Sequence, residues 1–129
     1  MSRRPTKILL EDMFERVTRI QRSVAGLDQE AFIRSDTVVD AVIRNLTVIG
    51  EAANRLPQDF KASHLTVPWH RIIGMRNRIV HDYFDVDLEL VWTIVNAELP
   101  EFASQLSRIQ ESGQVIETQD GETEGQETS

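Results

Sequence analysis

Apolar residues recur at spacings of three and four along most of the chain, and no stretch of useful length alternates apolar and polar residues. Spacings of three and four place apolar side chains on one face of a helix, whereas a half-buried strand requires alternation. Glycine and proline, which interrupt helices, number only six and four in 129 residues. The pattern therefore predicts an all-α protein.

Four long amphipathic helices follow from this spacing. Their expected ranges are Lys7 to Ala25, Asp36 to Leu56, Pro68 to His81 and Asp87 to Ile109. Single helical turns are expected after Asp28 and over residues 57–62. Pro100 is expected to kink the last helix, because proline removes a helical hydrogen bond. Long helices joined by short connectors predict an antiparallel bundle of four to five helices.

The packing of these helices can also be read from the sequence. Asp36 is the expected cap of the second helix. Gly50 and Gly74 are expected to let neighbouring helices approach closely. The third helix carries five apolar residues: Trp69, Ile72, Ile73, Ile79 and Val80.

Composition excludes several classes of site. The chain has no cysteine, so disulfides, thiolate metal ligands and thiol nucleophiles are excluded. Its histidines, His64, His70 and His81, are six and eleven residues apart, spacings at which no two of them form a metal-binding pair on a helix, and we expect no metal and no cofactor. No apolar stretch approaches the roughly 20 residues of a membrane span, and we recognise no signal peptide, so the expected location is the cytoplasm.

The net charge of −7 is unevenly distributed. Residues 111–129 carry no cation and six carboxylates: Glu111, Glu117, Asp120, Glu122, Glu124 and Glu127. Without them the chain is within one charge of neutral, so the acidic total does not argue against a nucleic-acid ligand. We therefore expect a helical domain over residues 1–110 and a disordered acidic tail over 111–129. The tail either solubilises the protein or mimics RNA at its own basic site.

The segment from residue 71 to residue 83 concentrates the polar chemistry of the chain. Three arginines precede its first acidic residue: Arg71, Arg76 and Arg78. His81 lies at a predicted helix end, and Tyr83 is the only tyrosine. Arginine neutralises a phosphate and its developing charge, and histidine moves protons near neutral pH. Because RNA carries its own nucleophile in the 2′-hydroxyl, such a set can cleave it without a metal.

A structural interpretation of the same segment stays open. Arg76 and His81 are about 140° apart around a straight helix, so contact with one ligand requires the helix to end at His81 or a second subunit to supply a group. Alternatively, His81 only complements the helix dipole and Tyr83 packs at the bundle end. The arginines then form a solvated face paired with acidic residues: Asp82, Asp85, Asp87 and Glu89.

The run RNRIVHDY at residues 76–83 resembles the R-x4-H-x-Y signature of HepT-like proteins in the HEPN superfamily. The preceding PWHRIIGM at residues 68–75 is similar to that family's approach to the signature. A second similar segment, AVIRNLTVIGEAA, lies at residues 41–53. The resemblance covers roughly residues 7–110.

The resemblance implies a HEPN-like bundle that forms a homodimer with the motifs at or near the interface. It implies a metal-independent endoribonuclease toxin of a type VII HepT/MntA-like system, neutralised by an MNT-type nucleotidyltransferase antitoxin that transfers AMP to Tyr83. On this chain, Arg76 would bind the scissile phosphate and stabilise the transition state, and His81 would be the general acid/base. Asn77 would position either His81 or the phosphate. Arg78 would steer RNA, or is a surface residue.

Arg71 and Glu51 are two further candidate residues. Arg71 is expected to steer RNA together with Arg78. Glu51 lies in an otherwise apolar helix face beside Gly50, and it either reaches the arginines of the motif or is an ordinary exposed glutamate. A buried glutamate is rare unless it is paired.

The alternative function is a non-catalytic helical binding partner of a nucleotidyltransferase. Such a scaffold would have the same bundle. The set of Arg76, Asn77, His81 and Tyr83 favours the enzyme, because a scaffold has no need for all four.

Overall fold

The computed structural model describes residues 4–112 as a bundle without strands, and the all-α prediction is confirmed. A 3-10 turn, Tyr83–Asp85, follows the fifth helix, and a π turn, Ile94–Glu98, joins the last two. The helices are α1 (Thr6–Val24), α2 (Gln29–Arg34), α3 (Asp36–Arg55), α4 (Gln58–Ser63), α5 (Trp69–His81), α6 (Leu88–Thr93) and α7 (Leu99–Ser112).

Side-chain caps define where several helices begin. The prediction that Asp36 caps α3 was wrong: the cap is Ser35, whose Oγ accepts a hydrogen bond from the Val38 N–H at 3.3 Å. Asp36 is instead the first helical residue, where its negative charge complements the helix dipole. Asp28 and Asp87 cap α2 and α6 in the same way as Ser35.

The helix that contains Pro100 is irregular one turn before the proline. The Leu99 N–H donates to the carbonyl of Ile94, five residues earlier, and both residues keep helical dihedral angles. Proline cannot donate a backbone hydrogen bond, and its ring crowds the carbonyl four residues earlier. The π turn, which is wider than an α-helical turn, accommodates the missing hydrogen bond and the crowded carbonyl without ending the helix. The irregularity predicted at Pro100 therefore lies in the turn that precedes it.

The core lies where α3 packs between α1 and α5, with α7 closing against α1. Phe32 of α2 and Phe60 of α4, which the helical spacing did not single out, are also buried. Val80 is 47% exposed, because α5 packs on α3 along one side only. The six members of the apolar stripe predicted for the second long helix are all buried, five within α3 and Leu56 directly after its end: Val39, Val42, Leu46, Ile49, Ala53 and Leu56.

The proposed acidic tail lies outside the described residues from residue 113 onward, and Glu111 and Ser112 belong to α7, beyond the boundary predicted at residue 110. Of the helices within residues 4–112, none has both the length and the apolar character that crossing a bilayer requires.

Candidate active site on helix α5

Buried aromatic and aliphatic residues fix both ends of α5 against the bundle. Trp69, in the first turn, is 5% exposed, and its Nε1 donates to the carbonyl of His64 at 3.0 Å. Its ring meets that of Phe102 edge-on, with centroids 6.3 Å apart. Ile79, in the last turn, is 5% exposed. The polar residues between these two anchors are therefore carried on a rigid helix.

Arg76 is held between two polar partners. Its Nη2 lies 2.6 Å from Oε1 of Glu51 on α3, and its Nη1 donates to Oδ1 of Asn77 at 2.8 Å. The second carboxylate oxygen of Glu51 lies 3.6 Å from Nη2 of Arg55. Glu51 thus contacts an arginine of the motif directly. The Arg76 side chain remains 27% exposed, so a ligand can still reach its guanidinium.

Gly50 makes room for Arg76. A Cβ built on Gly50 would lie 2.1 Å from Cβ and 2.8 Å from Cγ of Arg76. Cβ is fixed to the backbone, so the clash cannot be relieved by rotating the arginine side chain. Gly74 differs, because a Cβ there would meet nothing within 4 Å, and the predicted close approach at this glycine was wrong.

Replacing Gly50 with alanine is expected to push α5 away from α3. We expect a loss of about 1–3 kcal/mol in the free energy of unfolding, as for other overpacked cores. Arg76 would move with the helix and lose its contact with Glu51. Denaturant unfolding, followed by circular dichroism, measures the stability change.

Gly74→Ala is the matched control. It replaces a helical glycine of α5 where there is space, and it is expected to raise stability by roughly 0.5–1 kcal/mol through the unfolded state. If Gly50→Ala were as stable as the wild type, or Gly74→Ala the less stable of the two, the packing explanation would be wrong.

His81 lies at the end of α5, where the sequence places it. The helix stops there, and the N–H of Asp82 donates to the carbonyl of Arg78. The His81 ring is exposed and forms no hydrogen bond or ion pair within residues 4–112. Contact of Arg76 and His81 with one ligand requires either that the helix ends at His81 or that a second subunit supplies a group, and the first of these alternatives is met. Asn77 contacts Arg76 and not His81.

The other two arginines line a groove on a neighbouring face of α5. The groove lies between α5 and α6, has a volume of about 650 Å³, and includes Arg71 and Arg78 but neither Arg76 nor His81. Nη2 of Arg71 lies 2.6 Å from Oε2 of Glu98. Within residues 4–112 none of the three arginines pairs with the acidic residues that follow the motif, so the ion pairing considered for this segment was wrong.

Two residues that form ion pairs at the site were not predicted from the sequence. Arg55 is four residues after Glu51 on α3, a spacing typical of helical ion pairs that identifies it in retrospect. Glu98 is 27 residues from Arg71, and no local pattern links them. Only the packing of α5 beside the π turn brings that pair together.

A family model and several known proteins are similar to this chain in sequence. A family model described as "Ribonuclease HepT-like" matches residues 13–109. "Putative RNase TTE0752" of Caldanaerobacter subterraneus subsp. tengcongensis is 34% identical over 100 residues, covering 78% of this chain and 89% of that protein. "Probable ribonuclease HepT" of Thermococcus cleftensis is 33% identical over 107 residues, covering 83% and 97%. No solved structure matches the chain. The chain belongs to the HepT-like ribonuclease family.

Proposed function

We propose that this protein is a metal-independent endoribonuclease that cleaves RNA with Arg76 and His81. The observation that carries the proposal is the placement of Arg76. Its guanidinium is fixed by Glu51 and Asn77 yet is partly exposed, about one and a half helical turns from the exposed His81. The relatives named as ribonucleases support the same activity.

The reaction follows from the groups available. The 2′-hydroxyl of the substrate attacks the adjacent phosphorus, and the bond to the 5′-oxygen of the next nucleotide breaks. His81 carries a proton transfer, as base toward the 2′-hydroxyl or as acid toward the leaving oxygen. Arg76 stabilises the extra negative charge on the phosphoryl oxygens. The products are a 2′,3′-cyclic phosphate and a free 5′-hydroxyl.

A homodimer is part of the proposal. Ile73, Asn77 and Val80 recur at spacings of four and three, which puts them on one face of α5. Ile73 packs partly against the core, but Asn77 is exposed and Val80 is 47% exposed, so the C-terminal part of this face is uncovered in one subunit. The same face of a second copy would bury Val80 and bring the two motifs together across a two-fold axis.

The proposal also includes regulation by a second protein. We propose that the enzyme is the toxin of a type VII pair and that an MNT-type nucleotidyltransferase is its antitoxin. In the modification, the phenolic oxygen of Tyr83 attacks the α-phosphorus of ATP, and pyrophosphate leaves. Tyr83 is 52% exposed, which fits access by another enzyme. Its position two residues after His81 would place the added AMP beside the catalytic group.

The test is cleavage of single-stranded RNA by the purified protein in EDTA. We expect fragments that end in a 2′,3′-cyclic phosphate. The same oligonucleotide with a 2′-deoxyribose at the cleaved position is expected to stay intact, because the nucleophile is missing. Mass spectrometry of the fragments identifies their ends.

Two outcomes would contradict the proposal. Cleavage of the deoxy-substituted oligonucleotide would show that the nucleophile is not the 2′-hydroxyl. Absence of cleavage on every RNA would favour the alternative, a non-catalytic helical partner of a nucleotidyltransferase.

A further inference from the structure

Two exposed aromatic rings follow the motif. Phe84 is 94% exposed, more than any other large apolar residue within residues 4–112, and its neighbour Tyr83 is 52% exposed. Single exposed apolar residues are common on protein surfaces. Two adjacent aromatic rings beside a candidate catalytic histidine are a more specific feature, because aromatic faces bind unpaired bases.

The backbone that carries the rings is ordered by hydrogen bonds. The Asp82 N–H donates to the carbonyl of Arg78 at 2.9 Å, and the Asp85 N–H donates to the carbonyl of Asp82 at 2.8 Å. After the turn, Oδ1 of Asp87 accepts hydrogen bonds from the N–H groups of Glu89 and Leu90 in the first turn of α6. The turn is therefore fixed on both sides, and the two rings project from a defined scaffold.

The relative orientation of the rings leaves their faces available. Their centroids are 5.3 Å apart and their planes are inclined by 85°. In this edge-to-face arrangement the edge of one ring meets one face of the other, so the pair itself leaves the remaining ring faces uncovered. With 94% of Phe84 exposed, a flat heterocycle can stack on it without any rearrangement of the chain.

The charges around the rings select which part of an RNA approaches. Asp82 precedes the turn and Asp85 ends it, and their carboxylates repel phosphates but accept hydrogen bonds from the exocyclic amino groups of bases. If a protein partner covered the rings with an apolar pocket, both carboxylates would lose their hydration, which is unfavourable. Arg78, one turn earlier, forms no ion pair within residues 4–112 and is available to a phosphate.

We propose that Tyr83 and Phe84 form a stacking platform for an unpaired base next to the scissile phosphate. The platform rests on the proposed function and makes it more specific, because it predicts a single-stranded substrate and a base that carries an exocyclic amine. In a duplex the bases are stacked on each other and cannot reach the rings.

The test measures binding of a single-stranded RNA that carries 2′-O-methyl groups, which cannot be cleaved, and a 2-aminopurine reporter whose fluorescence falls when it stacks. We expect Phe84→Leu to weaken binding about tenfold and to abolish the fluorescence decrease. Phe84→Trp is expected to preserve both. Leu65→Ala is the matched control: Leu65 is 80% exposed in a different connector, and its replacement is expected to change neither.

Analytical ultracentrifugation of the same variants tests whether a second copy of the chain, rather than an RNA base, covers the Phe84 ring. We expect Phe84→Leu to keep the oligomeric state of the wild type. A shift toward smaller species would show that a second copy covers the ring and would overturn the platform. Equal affinity and equal fluorescence change for Phe84→Leu and the wild type would also overturn it. If the wild type neither binds nor cleaves any RNA, the proposed function fails as well. Failure of the platform alone would leave binding and cleavage by the wild type intact, so the two failures are distinguishable.

Discussion

Replacing His81 with alanine is expected to lower the cleavage rate by a factor of about 10²–10⁴, the usual contribution of a general acid or base. The melting temperature is expected to change little. His81 is exposed in the last helical turn and has no hydrogen-bond partner within the described part of the chain, so its removal disturbs no packing. Single-turnover cleavage of a labelled RNA, together with thermal unfolding, measures both quantities.

His70 provides the matched control for this change. It is an exposed histidine in the first turn of the same helix, and in our proposal it takes no part in the chemistry. His70→Ala is expected to cleave at the wild-type rate. Equal losses in the two variants, or a nearly unchanged rate for His81→Ala, would remove His81 from the mechanism.

Replacing Arg76 with alanine is expected to lower the cleavage rate by a factor of about 10²–10³, as when a donor to transition-state charge is lost. The effect on folding is expected to be small, because its ion-pair partner Glu51 is 39% exposed and water can solvate the freed carboxylate. Cleavage under single-turnover conditions and denaturant unfolding distinguish a loss of chemistry from a loss of fold.

Variants with smaller changes separate the charge of Arg76 from its position. Arg76→Lys keeps the charge, but an ammonium lacks the planar fork that meets Glu51 and Asn77 together, so we expect a loss nearly as large as for alanine. Glu51→Gln is expected to lose less, since Asn77 still holds the guanidinium. Arg19→Ala, which breaks a surface pair with Glu15, is the control. If Arg76→Lys cleaved like the wild type, charge alone would suffice and the anchoring would be irrelevant.

The helices could be predicted from the sequence because their signals are local. α1, α3 and α5 begin and end within a residue or two of the ranges expected from the sequence, and Gly26 and Pro57 follow the ends of α1 and α3. Gly26 adopts the left-handed conformation, with φ of 80°, that a non-glycine residue rarely takes. Such features act within one turn of the chain, and no distant contact is needed to produce them.

Predictions failed where two local signals competed or where a distant element decided. Ser35 and Asp36 are adjacent and both are good caps, and the sequence alone does not say which side chain reaches the free N–H. Gly50 and Gly74 look equivalent as small residues in apolar helices. Only the arrangement of α3 against α5 puts Gly50 at the contact and leaves Gly74 in open space.

The features of the candidate site also fall into two groups, those that local sequence determines and those that tertiary packing determines. The identities of Arg76, His81 and Tyr83, their order and their location at a helix end are properties of one continuous segment, so the sequence determines them. The ion pair of Arg76 with Glu51 joins two residues 25 positions apart in the chain, and the room that Gly50 leaves for it exists only once α5 packs on α3. Local geometry produces helices and places residues along them, whereas the tertiary structure decides which faces meet and therefore which charges pair.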